Sequence, residues 1–207
     1  MFFRKSTLEQ MLKYSFFFNQ EMLNCVDYVA FLQGINVGGH ALVKMQDLQK
    51  LFLSLGFTNI KTILASGNVV FEATENAEVI AKKIEQALQK LMNKEIIVII
   101  RTLAELQELV KKEPFKKTSP TAKKYATFLA KPVKKIRSSY FSEQEGFELL
   151  EINEYNVFSI AFPLANGRSG DPGSYVEKNY GVCTTRNWNT IERIVKERRR
   201  YSNSTLF

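Results

Sequence analysis

The spacing of apolar residues changes several times in the first half of the chain, and each change predicts a new element. Val26 to Leu32 form a nearly continuous apolar run, which is typical of a central strand covered on one face. After three glycines, apolar residues recur at helical spacing up to Gly56. Two short apolar segments on either side of Ser66-Gly67 then predict a hairpin, and a second amphipathic helix follows from about Val79.

A fourth strand at Ile96 to Ile100 completes the order βαββαβ. That order predicts an α+β fold with a ferredoxin-like sandwich, whose antiparallel strands lie in the order 4-1-3-2 under two helices. A third helix, from Leu103 to about Lys112, is predicted to end this unit. The next segment, at 113–124, is rich in Pro, Ser, Thr and Lys and is therefore predicted to be a linker.

The second half repeats part of this pattern, and it predicts a second, related α+β unit. Its strands are separated by a helix or irregular segment at 133–143, and Asn187 or Asn189 is predicted to cap the last helix. Glu192 is spaced from Asn189 for a capping box. The predicted domains are an N-terminal extension at 1–25, a ferredoxin-like unit at 26–112, the linker, a basic α+β unit at 125–200 and a tail at 201–207.

Charge is distributed unevenly between the two halves. The 207 residues have a net charge of +8, yet residues 25–110 carry 8 basic and 9 acidic groups against 18 and 10 in residues 111–207. A nucleic-acid or other acidic partner is therefore expected to contact the second half. The basic runs available to phosphates are Lys111-Lys112, Lys116-Lys117, Lys123-Lys124, Lys134-Lys135 and Arg198-Arg199-Arg200.

Two polar segments of the first unit are predicted to meet at one edge of its sheet. In the 4-1-3-2 order the end of strand one lies beside the hairpin, so GINVGGH at 34–40 comes near the SGN segment at 66–68. Backbone N–H groups and the partly positive start of the first helix favour an anion there. The candidate ligand-binding residues are Gly34, Asn36, Gly38, Gly39, Lys44, Ser66 and Asn68.

A structural interpretation of the same segments stays open. GINVGG matches neither GxGxxG nor GxxxxGK[ST], so it is not a nucleotide fingerprint. The glycines alternatively make a tight strand-to-helix turn, and Asn68 alternatively serves a hairpin position with positive φ.

The segment CTTRNWNT at 183–190 is the second candidate site. Arg186 offers a bidentate fork to an anion, and Asn187 adds a short polar side chain at a predicted helix start. The alternative is a capped helix that Trp188 anchors to the core.

Several classes of site lack the residues that they need. His40 is the only histidine and only three aspartates are present, which argues against a hydrolase triad. Cys25 and Cys183 form no CxxC motif, so no metal site and no disulfide framework is predicted, and we expect a reducing, cytoplasmic location. No apolar window is long enough to cross a membrane. The sequence identifies neither a cofactor nor a catalytic residue.

The segments at 28–71 and 181–194, the second reading GVCTTRNWNTIERI, resemble a largely bacterial family known only as domain of unknown function 1697. The resemblance covers roughly residues 27–197, and residues 33–39 and 66–71 resemble the family's signature segments. In the commonest family pattern an arginine stands where this chain has Gln33. The resemblance implies a fold but no activity.

Three functions remain, in order of expectation. The first is a non-catalytic binding protein for an anionic small molecule or a nucleic-acid backbone. The second is an enzyme that depends on a bound cofactor or a substrate phosphate, and the third is a homo-oligomeric interaction module that uses the sheet. Reading of RNA bases is disfavoured, because the positions that carry aromatics in RNA-recognition sheets are Asn68, Val70 and Ala73 here.

Overall fold

The computed structural model describes residues 25–36, 43–134, 139–165 and 167–204, with side chains in the last helix described up to Arg198. Its first part, here called the first unit, begins with the predicted βαββαβ order and ends with one further helix. The elements are β1 (Val26–Leu32), α1 (Met45–Ser54), β2 (Thr58–Ile63), β3 (Asn68–Ala73), α2 (Ala77–Met92), β4 (Val98–Thr102) and α3 (Leu103–Lys111).

The first sheet has the strand order β2-β3-β1-β4, with every neighbouring pair antiparallel. This is the 4-1-3-2 order predicted from the sequence, and the mixed α+β class is confirmed. Helices α1 and α2 bury Leu48, Phe52 and Ile84 against one face of the sheet. The start of α1 therefore lies near the edge where β1 ends and the β2–β3 hairpin turns.

The second unit contains a five-stranded antiparallel sheet in the order β6-β7-β8-β5-β9. Four of these strands, in the order β7-β8-β5-β9, correspond to β2-β3-β1-β4 of the first unit in their order along the chain and in their position in the sheet. The predicted relation between the two units is thus visible in their topology. The elements are β5 (Lys123–Leu129), β6 (Tyr140–Ser142), β7 (Phe147–Ile152), β8 (Asn156–Ala161), α4 (Pro172–Tyr180), β9 (Cys183–Asn187) and α5 (Trp188–Ser204).

Two local predictions in the second unit are wrong. Residues 140–142, assigned to a helix or irregular segment, form β6 beside β7. Residues 183–187, which were not predicted to form a strand, form β9, which pairs with β5 from Asn187 opposite Tyr125 to Cys183 opposite Leu129. Helix α5 begins directly after Asn187, the first of the two predicted cap positions. Because α5 begins at Trp188, Asn189 lies inside the first turn and cannot form a capping box with Glu192.

A central core joins the two units. Val29 and Phe31 of β1 point away from α1 and α2 and pack on the second unit, where Phe31 stacks on Phe128 with ring centroids 4.5 Å apart. Strand β1 is therefore covered on both faces, not on one as predicted. The sheet face that an RNA-recognition fold leaves open is buried in this protein.

Helices α3 and α5 share this central core, and each follows its strand without an intervening loop. Trp188, the first residue of α5, contacts Phe115 and Phe158 edge to face, with ring centroids 5.1 and 5.9 Å away. The predicted anchoring role of Trp188 is confirmed. Phe115 comes from the segment predicted to be a linker, so this segment contributes to the core.

The far end of α5 is fixed to the first sheet by ion pairs. Arg198 donates to the carboxylates of Asp27 on β1 and Glu72 on β3, and its side chain is 11% exposed. The sequence analysis placed Arg198 in a basic run available to phosphates, but in the fold two carboxylates pair with its charge. Among the described helices, none is long and apolar enough to cross a membrane.

Candidate functional site

A cleft of about 720 Å³ lies between the two units. The first unit contributes the end of β1, the start of α1 and the β2–β3 hairpin, and the second unit contributes the end of β9 and the start of α5. The lining residues are Leu32, Gly34, Ile35, Asn36, Val43, Lys44, Met45, Ala65, Ser66, Thr185, Arg186, Asn187 and Thr190.

The two candidate sites of the sequence analysis meet in this cleft. Asn68 lies directly behind it, fully buried, while Gly38, Gly39 and His40 lie outside the described residues. The remaining six of the nine candidate residues line it, namely Gly34, Asn36, Lys44, Ser66, Arg186 and Asn187.

Arg186 spans the boundary between the units. It leaves β9 of the second unit, and its Nη2 donates to the carbonyl oxygens of Leu32 at 2.9 Å and Ser66 at 3.3 Å in the first unit. Its Nε donates to Oδ1 of Asn68 at 2.7 Å. Its Nη1 donates to Oγ1 of Thr184 at 2.6 Å and to its neighbouring carbonyl. These bonds engage every guanidinium nitrogen, so Arg186 offers charge to the cleft but not the free fork that the sequence suggested.

The charge of Arg186 has no carboxylate beside it among the described residues, since none of their salt bridges includes it. All of its acceptors are neutral oxygens. Burial lowers the pKa of the Arg186 guanidinium to about 10, because a charged group loses solvation in the interior. It still carries its full positive charge at neutral pH, and the walls of the cleft therefore favour an anion.

Asn68 positions Arg186 and the hairpin together. Its Nδ2 donates to the Ile63 carbonyl oxygen at 2.9 Å and to Ser66 Oγ at 3.0 Å, while its Oδ1 receives the Arg186 bond. The alternative that Asn68 takes a positive φ is wrong. Gly67 takes it instead, with φ of 77°, and a Cβ at Gly67 would lie 2.5 Å from the Ile35 side chain.

The side chain of Asn36 also forms its hydrogen bonds within the protein. Its Oδ1 accepts from the Val43 backbone N–H at 3.0 Å, and its Nδ2 donates to the carbonyl oxygens of Val43 at 3.3 Å and Ala65 at 2.9 Å. The side chain thus ties the ends of the glycine-containing segment to the hairpin. It shapes the cleft and has no donor left for a ligand.

Free donors remain on both walls. Lys44 immediately precedes α1, whose first turn has no side-chain cap, and its side chain makes no hydrogen bond or ion pair with any described residue. On the opposite wall Asn187 is exposed and equally free, within the same set of residues. Thr190 is 7% exposed and lines the cleft, and its hydroxyl also has no partner among them.

The candidate segment at 183–190 contains Thr185 and Thr190, but neither was named as a ligand-binding residue. Their positions depend on strand β9, which the polar sequence CTTRN did not predict. Thr185 Oγ1 bonds Thr127 Oγ1 at 2.9 Å, and Thr190 lies in the first turn of α5, which follows the strand of Arg186 directly.

Gln33, where the commonest family pattern has an arginine, lies beside the cleft and not in its lining. Its Nε2 donates to Oε1 of Glu177 on α4 at 2.9 Å, so it forms another bridge between the units. No group of three or more His, Cys, Asp or Glu side chains suited to a metal ion occurs within the described part of the chain.

Comparisons with known proteins agree with this architecture. A solved structure, the conserved bacterial protein SP0830 from Streptococcus pneumoniae, aligns with a TM-score of 0.55 and 16% identity, covering 83% of this chain and 98% of that one. At this identity the likeness concerns the fold alone. No curated protein matches the chain. Residues 26–158, more than half of the chain, match the family described as "Protein of unknown function (DUF1697)", and the protein therefore belongs to that family.

Proposed function

We propose that the protein binds an anionic small molecule in the cleft between its two units and does not transform it. The observation that carries the proposal is the buried positive charge of Arg186, which faces neutral oxygens and has no carboxylate partner among the described residues. Lys44 adds a second cation to the same cleft. None of the described lining residues is acidic, so no carboxylate among them opposes the attraction of an entering anion.

The composition of the site supports binding over catalysis. Ser66, Thr185 and Thr190 bring hydroxyl groups to the cleft, but the described lining residues include no carboxylate or imidazole that could activate one as a nucleophile. The free donors on the two walls instead match the oxygen acceptors of a phosphate or carboxylate. Because they come from both units, a bound anion bridges the units.

A nucleic-acid backbone is the weaker alternative. Arg198 is engaged by Asp27 and Glu72, and Lys111 and Lys116 lie within 3.1 Å of glutamates. The sheet face that RNA-recognition folds use is buried in the central core, which also removes that face as an oligomerisation surface. A single cleft accommodates one small anion more readily than a run of phosphates.

The test is calorimetric titration of the full chain with pyrophosphate, comparing Lys44→Ala with Lys50→Ala. Both lysines belong to the start or body of α1, but Lys50 is 78% exposed and absent from the cleft lining. We expect Lys44→Ala to weaken binding about tenfold, the loss of one charge-assisted hydrogen bond, and Lys50→Ala to change it less than twofold.

Equal effects of the two substitutions would contradict the assignment of the cleft. A single-stranded oligonucleotide serves as the competing ligand in a parallel titration. Tighter binding of the oligonucleotide, with a steep fall in affinity as salt increases, would favour the nucleic-acid alternative, because counterion release scales with the number of phosphates contacted.

A further inference from the structure

The described lining of the cleft holds two kinds of side chain. Lys44, Ser66, Arg186 and Asn187 are polar or positive, and Ile35, Val43 and Met45 are among the aliphatic ones. None of the described lining residues is aromatic. An anion alone needs only the polar groups, so the aliphatic side chains call for a second part of the ligand.

The volume agrees with a two-part ligand. About 720 Å³ is in the range of sites that enclose an organic ligand of moderate size, and it far exceeds the room needed by one phosphate. Val43 and Met45 are only partly buried and pack with one side on the first unit's core. Their remaining apolar surface faces water unless a ligand covers it.

The available groups also limit the second part of the ligand. A nucleobase is usually held by stacking on an aromatic ring, and the described lining holds no ring. A sugar needs several free polar partners, but the free ones in the described lining, Lys44, Asn187 and Thr190, are assigned to the anionic group. An alkyl or acyl chain requires only apolar contact.

We propose that the ligand is a free, single-chain amphiphile, with a phosphate or carboxylate head on an aliphatic chain. The inference rests on the proposed function, since the head occupies the anion-binding part of the cleft beside Arg186 and Lys44. The aliphatic chain of the ligand lies along Val43 and Met45. The anionic head provides the electrostatic attraction. The length of the ligand's aliphatic chain determines which anions bind most tightly.

The experiment is a titration of the unmodified protein with phosphate, butyl phosphate, hexyl phosphate and octyl phosphate, each below its micellar concentration. Burial of a methylene group strengthens binding about fourfold, so affinity rises with each added methylene until the cleft is full. Adenosine monophosphate, of the same head group, is expected to bind no more tightly than butyl phosphate. Octyltrimethylammonium, with the opposite charge, is expected not to bind.

The outcomes separate this inference from the proposed function. If all phosphates bind equally, or adenosine monophosphate binds most tightly, the amphiphile is wrong and the anion cleft stands. If octyltrimethylammonium binds as tightly as octyl phosphate, the anion cleft is wrong as well. If the protein cosediments with anionic phospholipid vesicles and octyl phosphate does not reduce this, the protein binds a membrane surface. That result would contradict the proposal of a free ligand.

A matched pair of variants tests where the aliphatic chain of the ligand lies. Met45→Gln places a polar amide of similar length among the aliphatic side chains of the lining, while Leu53→Gln makes the same kind of change on α1 at a residue that is 60% exposed and outside the lining. Met45→Gln is expected to weaken octyl phosphate about tenfold and to leave inorganic phosphate unchanged. An equal loss in Leu53→Gln, or an equal loss for both ligands in Met45→Gln, would overturn the proposed position of the chain.

Discussion

Arg101 and Arg186 hold equivalent positions in the two units. Each is the penultimate residue of its edge strand, β4 or β9, and each donates to the carbonyl of the residue before it. Each also reaches into the other unit. Arg101 donates to the carbonyl oxygens of Leu129 at 2.7 Å and Tyr155 at 3.2 Å, as Arg186 does to those of Leu32 and Ser66.

The aromatic surroundings of the two arginines match in part. Arg101 lies 5.7 Å from the ring centre of Phe128, and Arg186 lies 5.6 Å from that of Phe31. Arg101 also lies 5.6 Å from the ring centre of Tyr155, and Arg186 has no second ring contact among the described residues. Since Phe31 and Phe128 stack on each other, the two arginines flank one central pair of rings. The molecule thus has an approximate two-fold arrangement in which each unit anchors the other.

The two positions differ in charge balance. Burial lowers the pKa of Arg101, and the negative charge of Glu105 opposes that shift, whereas burial alone acts on Arg186. Arg186 also bonds Asn68 and Thr184, for which Arg101 has no counterpart bonds. Only the uncompensated arginine borders the large cleft. The comparison teaches that the same kind of arginine link is balanced by a nearby carboxylate in one unit, whereas in the other unit it leaves an unbalanced charge beside the cleft.

Replacing each arginine by Met measures the difference directly. Arg186→Met leaves five acceptors without their donor, so we expect it to lower the free energy of unfolding by about 4 kcal/mol. Arg101→Met removes three bonds and is expected to cost about 2 kcal/mol. Urea unfolding checks both values. Equal losses would mean that the two links are energetically equivalent despite their different partners.

The equivalent asparagines sharpen the comparison. Asn68 pairs with Phe31 in the first sheet, and Asn156 pairs with Phe128 in the second. Asn68→Ala removes three hydrogen bonds at a fully buried position, and we expect a loss of about 2 kcal/mol. Asn156 Oδ1 is buried without a partner among the described residues, so Asn156→Ala is expected to cost less than about 0.5 kcal/mol. Thermal unfolding separates the two, and a larger loss at Asn156 would break the proposed asymmetry.

A smaller difference concerns alkaline pH. Cys183 occupies in β9 the place that Val98 has in β4, opposite the last residue of the central strand. Burial raises the pKa of the Cys183 thiol from 9.0 to about 12, so the folded chain keeps a proton that the unfolded chain loses above pH 9. The resulting stabilisation is complete below pH 9 and is lost as the pH rises toward 12.

The matched variant is Cys183→Val, which gives the second unit the residue of the first. Between pH 8 and pH 10 the unmodified protein is expected to lose about 1 kcal/mol more than the variant, because only the unmodified protein has the thiol. Tyr175, whose folded pKa is about 12, and Arg186 titrate in both proteins. Urea unfolding at the two pH values makes the comparison, and parallel losses would refute the role of Cys183.

The first unit was largely predictable because its elements carry strong local signals. Both ends of the strand Val26–Leu32 were predicted correctly, since an apolar run ends at Leu32 and glycines follow. The topology then placed GINVGG beside the hairpin, and the described part of that segment does meet Ser66 in the cleft. The domain boundaries and the ligand remain predictions.

The second unit was harder because long-range pairing overrides its local pattern. CTTRN has too few apolar residues to indicate a strand, yet Cys183 and Thr184 are buried because β5 pairs with them. The role of Arg186 as a link was hidden for the same reason. Its partners Leu32 and Asn68 are more than a hundred residues away, and no sequence periodicity reports such a contact.

The central core that the two units share has a consequence for synthesis of the protein on the ribosome. The first sheet can pair its strands once residue 102 has emerged, but Val29, Phe31, Val70 and Ile99 on its second face are covered only when β5, β8 and α5 arrive. At a translation rate of about 5–20 residues per second, this apolar face waits for several seconds. During that interval the nascent chain presents a surface suited to chaperones and to misassembly, and the cleft does not yet exist.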